Sequence, residues 1–178
     1  EKEWDCPMTR ETKWSVEPNV GILPIKFGMT ESEVSEASGL GRAKDTIVED
    51  DGLVTQFWGL GDPNVAYRDG KVVFIATGPA SIPVLIGDVE VFQDDTRTAL
   101  QAFEKANGDK PFYQLGSVNF TRLNLAMTGF FDFREDRYYD PISGEQDDRV
   151  ISLFAPGTCT DREATRSRRR CDLDRNAS

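Results

Sequence analysis

There is no histidine anywhere in the chain. That absence removes Ser-His-Asp and Cys-His nucleophile–base pairs, histidine-ligated zinc and imidazole acid–base chemistry in one step. Cysteine is nearly as scarce: Cys6, Cys159 and Cys171 are odd in number and lack C-x-x-C spacing. They supply neither a disulfide framework nor a thiolate metal site nor a dithiol redox pair. Cys159 and Cys171 flank a short polar loop, and the sequence leaves open whether they bridge in an oxidising compartment or stay free thiols. No apolar run approaches the ~20 residues of a spanning helix. The longest, Val72 to Ala76 and Ile82 to Ile86, have the length of buried strands. Glycines at 39, 41, 59 and 61 lack the spacing of a phosphate-binding loop. The expectation is a chain without catalytic residues, metal or cofactor, and therefore not an enzyme.

What is abundant is negative charge. The 178 residues carry a formal net charge of −10. From Thr160 onward six Arg face four acids, so the body before that point stands near −12. Such a field disfavours nucleic acid and anionic lipid and speeds encounter with a cationic protein. The partner expected is basic and proteinaceous, met by a chain that is monomeric when free or held in a 1:1 complex, without a membrane span. A cytoplasmic location is expected, with periplasmic or secreted as the alternative.

Along the chain, residues 1–21 read as an irregular lead-in that packs Trp4 and Trp14 on the body. Residues 22–80 form a first unit, 81–158 a second within the same compact body, and 159–178 a flexible, Arg-rich tail. Ile25 to Phe27 reads as a brief strand and Gly28 as a turn. Thr30 with Glu33 three residues later is a capping box before a short helix that Gly39 ends. After a polar connection, Leu53 to Trp58, Val65 to Arg68 and Lys71 to Ala76 read as strands, the last two joined by a type I′ turn at Asp69-Gly70. The plan then recurs. Placing Phe27 on Phe92 puts Thr30 on Asp95, Val34 on Ala99 and Ala37 on Ala102, and a helix from Thr96 ends at Asn107-Gly108. Val118 to Ala126 and Phe130 to Phe133 read as further strands, and Val150 to Gly157 matches Val72 to Gly78 in character. The fold class is α+β: an antiparallel sheet with short helices on one face, in two diverged strand–helix–strands repeats.

The stretch Ile25-Lys-Phe-Gly-Met-Thr-Glu-Ser-Glu-Val34, followed by Gly39, resembles a strand–Gly-Met-Thr–helix–Gly signature. It is shared by the β-lactamase inhibitory proteins and the small lipoproteins of the outer-membrane β-barrel assembly machinery. The resemblance implies one or two short helices on an antiparallel sheet, two such units in tandem, and a protein-binding role; the second unit departs from it with Gln93-Asp94-Asp95 in place of Gly-Met-Thr. In size and charge the chain is also similar to bacterial toxin immunity proteins, which implies inhibition by covering an active surface.

Carboxylates are the one catalytic currency left, so a carboxylate-based hydrolase is one alternative and a secreted or envelope enzyme-inhibitor or scaffold protein another. Asp140, Ser143, Glu145, Asp147 and Asp148 have the oxygens to ring a calcium ion, though without the order of an EF-hand. The stronger reading of that segment, Arg134 to Arg149, is recognition. It replaces the tight turn of the first unit and mixes Tyr with Arg and Asp, the composition of interface hot spots. The expected binding set is Asp136, Arg137, Tyr138, Tyr139, Asp140, Glu145, Asp147 and Asp148. Phe57, Trp58 and Tyr67 are expected in the core.

Overall fold

A computed structural model of the chain describes residues 13–79, 82–114, 116–141 and 146–158. In chain order the first half contains β1 (Trp14–Glu17), β2 (Gly21–Leu23), β3 (Ile25–Lys26), α1 (Glu31–Ser38), β4 (Asp45–Val48), β5 (Val54–Phe57), β6 (Asn64–Arg68) and β7 (Lys71–Thr77). The second half contains β8 (Val84–Ile86), β9 (Val89–Glu90), α2 (Thr96–Asn107), β10 (Phe112–Gln114), β11 (Ser117–Phe120), a 3-10 turn at Thr121–Leu123 and β12 (Leu125–Thr128). It finishes with β13 (Phe131–Asp132), β14 (Arg137–Tyr138) and β15 (Val150–Phe154). Sheet dominates and is mostly antiparallel, with two short helices, so the molecule is α+β.

Local chemistry accounts for the helix ends. The Thr30 hydroxyl accepts from the Glu33 N–H while the Glu33 carboxylate accepts from the Thr30 N–H at 2.7 Å, and Gly39 leaves the helix at φ 67°. For α2, Asp95 accepts from the Thr98 N–H and Gly108 supplies the left-handed stop. The β6–β7 turn has φ of 51° at Asp69 and 71° at Gly70, the double positive φ of a type I′ hairpin.

Eight strands form the larger sheet, in the order β10-β11-β12-β15-β7-β6-β5-β4. Its two faces follow from register, because residues paired directly across strands share a face. One row runs Phe120, Leu125, Leu153, Ile75, Val65, Gln56, Thr46. Phe103 of α2 lies 5.8 Å from Phe120 at one end of that row, and Glu31 of α1 accepts a 2.6 Å hydrogen bond from Gln56 at the other. Both helices therefore cover the same face, over a core continuous between the two halves. The adjacent row runs Phe112, Asn119, Ala126, Ser152, Ala76, Asn64, Phe57, Asp45 on the opposite face, which neither helix covers.

The structure corrects the sequence reading in four places. Trp14–Glu17 is a strand rather than irregular lead-in: β1 pairs in parallel with β8, a partner some seventy residues away that no local pattern reveals, and this buries Trp14 and Val16. Asp45–Val48, within what reads as a polar connection, is the outermost strand of the large sheet. The stretch from Val118 to Ala126 is broken by the 3-10 turn, with Asn124 left-handed at φ 48°. Phe130 to Phe133 does not join the main sheet; Phe131 and Asp132 pair with Tyr138 and Arg137 in a separate hairpin. Residues 1–12 and the tail from Cys159 onward, with the three cysteines, lie outside the described residues.

The face assignment makes a paired prediction. Leu153 is fully buried at the central β7–β15 seam, so Leu153→Ala should cost about 2–5 kcal/mol in urea denaturation. Its neighbour Ser152 points to the open face, and Ser152→Ala should stay within ~0.5 kcal/mol.

Candidate functional site

The segment between β12 and β15 is organised by a residue that the sequence reading passed over. Arg149 is only 1% exposed. Its Nε donates to both oxygens of Asp147 at 3.0 and 3.1 Å, and its Nη2 donates to Asp147 at 2.7 Å and to the Phe92 carbonyl at 2.6 Å. Nη1 donates to the Thr96 hydroxyl at 3.3 Å. The guanidinium carbon lies 5.7 Å from the Phe92 ring and 5.4 Å from the Phe130 ring. A buried cation is tolerable only with its donors satisfied and a counter-ion at hand, and both are present here. Burial pushes the Asp147 carboxyl up, but the hydrogen bonds from the Arg149 side chain and backbone, with its charge, outweigh burial and hold it below the usual aspartate range.

Anchored this way, Phe130 fixes where the β13–β14 hairpin starts, and the Tyr139 N–H returns to the Phe130 carbonyl at 3.1 Å. Inside the hairpin loop the Asp132 carboxylate accepts from the N–H groups of Arg134 and Glu135 at 2.9 and 3.2 Å, and Asp136 is left-handed at φ 50°. The hairpin carries an aromatic cluster. Phe131 lies 5.7 Å from Tyr113 of β10, 5.1 Å from Phe133 and 5.4 Å from Tyr138, and Tyr113 meets Phe133 edge-on at 5.2 Å. Arg97 of α2 stands 5.7 Å over the Tyr138 ring. Tyr113, Phe133 and Tyr138 nonetheless remain 51%, 38% and 39% exposed. Burial raises the Tyr113 phenol above its ordinary value, with Tyr138, Glu104 and Asp136 adding in the same direction.

The expected binding set is thus divided. Tyr138 and Asp136 belong to the aromatic patch, and Arg137 is beside them, ion-paired with Glu135. Tyr139 is half-buried and Asp140 exposed. Asp147 is committed to Arg149, with its side chain 21% exposed. Asp148 lines a different feature, a groove of about 650 Å³ at one end of the open face, which it shares with Lys44, Asp45, Phe57 and Asp62. Glu145 and Ser143 lie outside the described residues. Tyr113, Phe131, Phe133 and Arg97 were missed, although the Phe-Phe-Asp-Phe run at 130–133 was a signal for the two phenylalanines. Trp58 and Tyr67 are core as expected, whereas Phe57 is half-buried on the open face.

Among the described residues no group of three His, Cys, Asp or Glu side chains is placed to hold a metal ion, and no helix is long and apolar enough to cross a membrane. No protein-family model matches the chain, and no curated protein or solved structure matches it significantly.

The Arg149–Asp147 pair sets an acid limit on this segment. A carboxylate whose folded pKa is depressed contributes stability that is present above its unfolded pKa, 3.8 for a free aspartate, and lost as pH falls through the lower folded value. Asp147→Asn should therefore cost about 3 kcal/mol at neutral pH, by leaving Arg149 buried without its counter-ion. It should also flatten the stability–pH curve below about pH 4, as read by urea denaturation across a pH series.

Proposed function

We propose that this protein is a protein-binding inhibitor that docks on a basic partner and occludes it, in the manner of an immunity protein covering a toxin's active cleft. The observation that carries the reading is the exposed aromatic cluster Tyr113–Phe131–Phe133–Tyr138, rimmed by Glu104, Asp136 and Arg97. Clustered Tyr and Phe with Arg on a fixed hairpin are what interface anchors are made of: large contact area with few rotamers to immobilise. Monomeric proteins seldom leave several aromatic rings together in water without such a use. The surrounding acidic body adds attraction and orientation toward a cationic surface.

The strand order supports a tandem origin for the body that presents this patch. Each half runs hairpin, helix, four-strand meander, and the large sheet reads β4-β5-β6-β7 from one edge and β10-β11-β12-β15 from the other. If Val72 corresponds to Val150, then Ile75 corresponds to Leu153, and these two residues pair with each other at the sheet centre. A local two-fold axis between two diverged copies of one unit produces that self-equivalent pairing. It agrees with the tandem layout that the Gly-Met-Thr resemblance implies. Under this reading the patch hairpin is an insertion where the first copy has its two-residue turn.

The test is differential capture from a lysate of the source organism, with the bound protein identified and its activity assayed. Tyr138→Ala with Phe133→Ala should weaken binding at least ~10-fold, since hot-spot truncations exceed about 1.4 kcal/mol. Charge reversal at Asp136, Asp140 and Asp148, leaving Asp147 in place, should lower the association rate and flatten its salt dependence. A partner held equally well by all variants, or one whose activity is undiminished in the complex, would refute the proposal.

A further inference from the structure

Beyond β15 the chain is turned back on itself. Ala155-Pro156-Gly157-Thr158 closes a reverse turn, in which the Thr158 N–H donates to the Ala155 carbonyl at 3.1 Å and Gly157 stands at φ 79°. Proline followed by a left-handed glycine is the type II pattern, and it sends the next residues back toward the start of β15. They have no room in the plane of the sheet. β15 has β12 on one side and β7 on the other, and the contact with β7 continues to Ala155, whose N–H donates to the Val73 carbonyl at 2.8 Å. One face of the sheet is filled by the core beneath α1 and α2. The way back therefore runs over the face that neither helix covers, past Phe154 and Phe74, whose ring centroids are 5.0 Å apart.

At the far end of that path lies the groove of about 650 Å³, with Phe57, Ala76 and Val150 among its apolar walls. Its charged lining is Lys44, Asp45, Asp62, Asp147, Asp148 and Arg149. Arg149 and Asp147 neutralise each other. Lys44 and Asp62 meet over Gly59, where an added Cβ would lie 3.1 Å from the ammonium and 2.8 Å from the carboxylate, so these two charges offset each other as well. Asp45 and Asp148 are left uncompensated, both on exposed residues, and only one oxygen of Asp45 is taken, by the Thr46 N–H. Apolar walls with two spare carboxylates suit arginine, whose stem packs on carbon while its guanidinium pairs with an acid.

The chain carries that ligand itself. Arg166-Ser167-Arg168-Arg169-Arg170 sets four cations together without an acid, starting eight residues after Thr158. The length of β15 is roughly 13 Å and the four strand spacings from β15 to β4 add ~19 Å crosswise, so the far wall of the groove is about 23 Å away. Eight extended residues span ~26 Å. We propose that the Arg166–Arg170 run folds back across the open face and docks in this groove, with its guanidinium groups on Asp148 and Asp45. The tether holds the run at an effective concentration of about mM, so weak contacts suffice to populate the docked form. The acidic turn Glu49-Asp50-Asp51 is a poorer seat, being a convex hairpin tip whose Asp51 is already held by Arg68 at 2.8 Å. This docking is independent of the aromatic patch, which is built on other elements.

Cys171 directly follows the run and takes a nitroxide label in the full chain once Cys6 and Cys159 are replaced by serine. In amide NMR spectra Gly59, Gly61 and Gly78 should lose most of their intensity and regain it when the nitroxide is reduced, while Gly108 at the end of α2 stays unchanged. Replacing all four arginines of the run by glutamate should abolish the loss. Asp45→Asn with Asp148→Asn should do the same, with circular dichroism confirming that the fold is kept. Salt at about 1 M, where the screening length is ~3 Å, should weaken it. Groove glycines that keep their intensity, a loss that persists in the glutamate variant, or broadening confined to Glu49–Gly52 would each overturn the assignment. So would a loss that passes in full to nitroxide-free copies mixed with the labelled chain, since the run would then be docking on a neighbour.

Discussion

The architecture around the patch depends on one buried cation. A guanidinium removed from water is strongly unfavourable unless nearly every donor finds an acceptor and its charge finds a counter-charge. Arg149 meets both conditions by drawing together parts of the chain that are far apart in sequence: Asp147 beside it, the Phe92 carbonyl and Thr96 hydroxyl at the entry to α2, and the rings of Phe92 and Phe130. Because Phe130 is the residue immediately before the β13–β14 hairpin, a constraint on Phe130 is a constraint on the hairpin. Through it Tyr138 comes under Arg97 and Phe131 comes beside Tyr113. The surface feature proposed to bind is therefore positioned from below, by a core ion pair, rather than by its own short two-residue strands.

A second constraint lies in how the halves meet. Two seams join them, the antiparallel β7–β15 pair at the centre of the large sheet and the parallel β1–β8 pair in the smaller one. Either meander alone would present one more open edge and a half-covered face. Joining them at β7 and β15 places the longest strand, β7, at the centre and moves the free edges out to β10 and β4. The aromatics of the hairpin crowd Tyr113 on β10, whereas all four residues of β4 are exposed.

What could be read from sequence was whatever local chemistry decides. The Thr30–Glu33 box, the Asp69-Gly70 turn and both glycine stops are set by a few adjacent residues, and each appears where the pattern put it. The elements that escaped are those whose stability is borrowed from distant partners. Trp14–Glu17 looks like loop until β8 is laid beside it, and Asp45–Val48 is polar enough to pass for a connection because an outermost strand needs no apolar alternation. At the candidate site the same division held. Tyr138 was legible from composition, but Asp147 belonged to the interior through Arg149, and Tyr113 and Arg97 joined the patch from elements that no spacing connects to it.

Charge and patch answer different questions about recognition. An excess of negative charge spread over a whole body acts over about a Debye length and attracts any basic protein, so it raises encounter rates without selecting among partners. Selection requires shape that a wrong partner cannot match, and shape has to be held still to be selective. The hairpin satisfies this because its start is pinned by Phe130 and its loop by the Asp132 carboxylate. It also lies between β12 and β15, a connection far longer than the two-residue turn at Asp69-Gly70 that joins β6 and β7. If the halves are diverged copies, the shared framework supplies stability, and specificity resides in what one copy has and the other lacks.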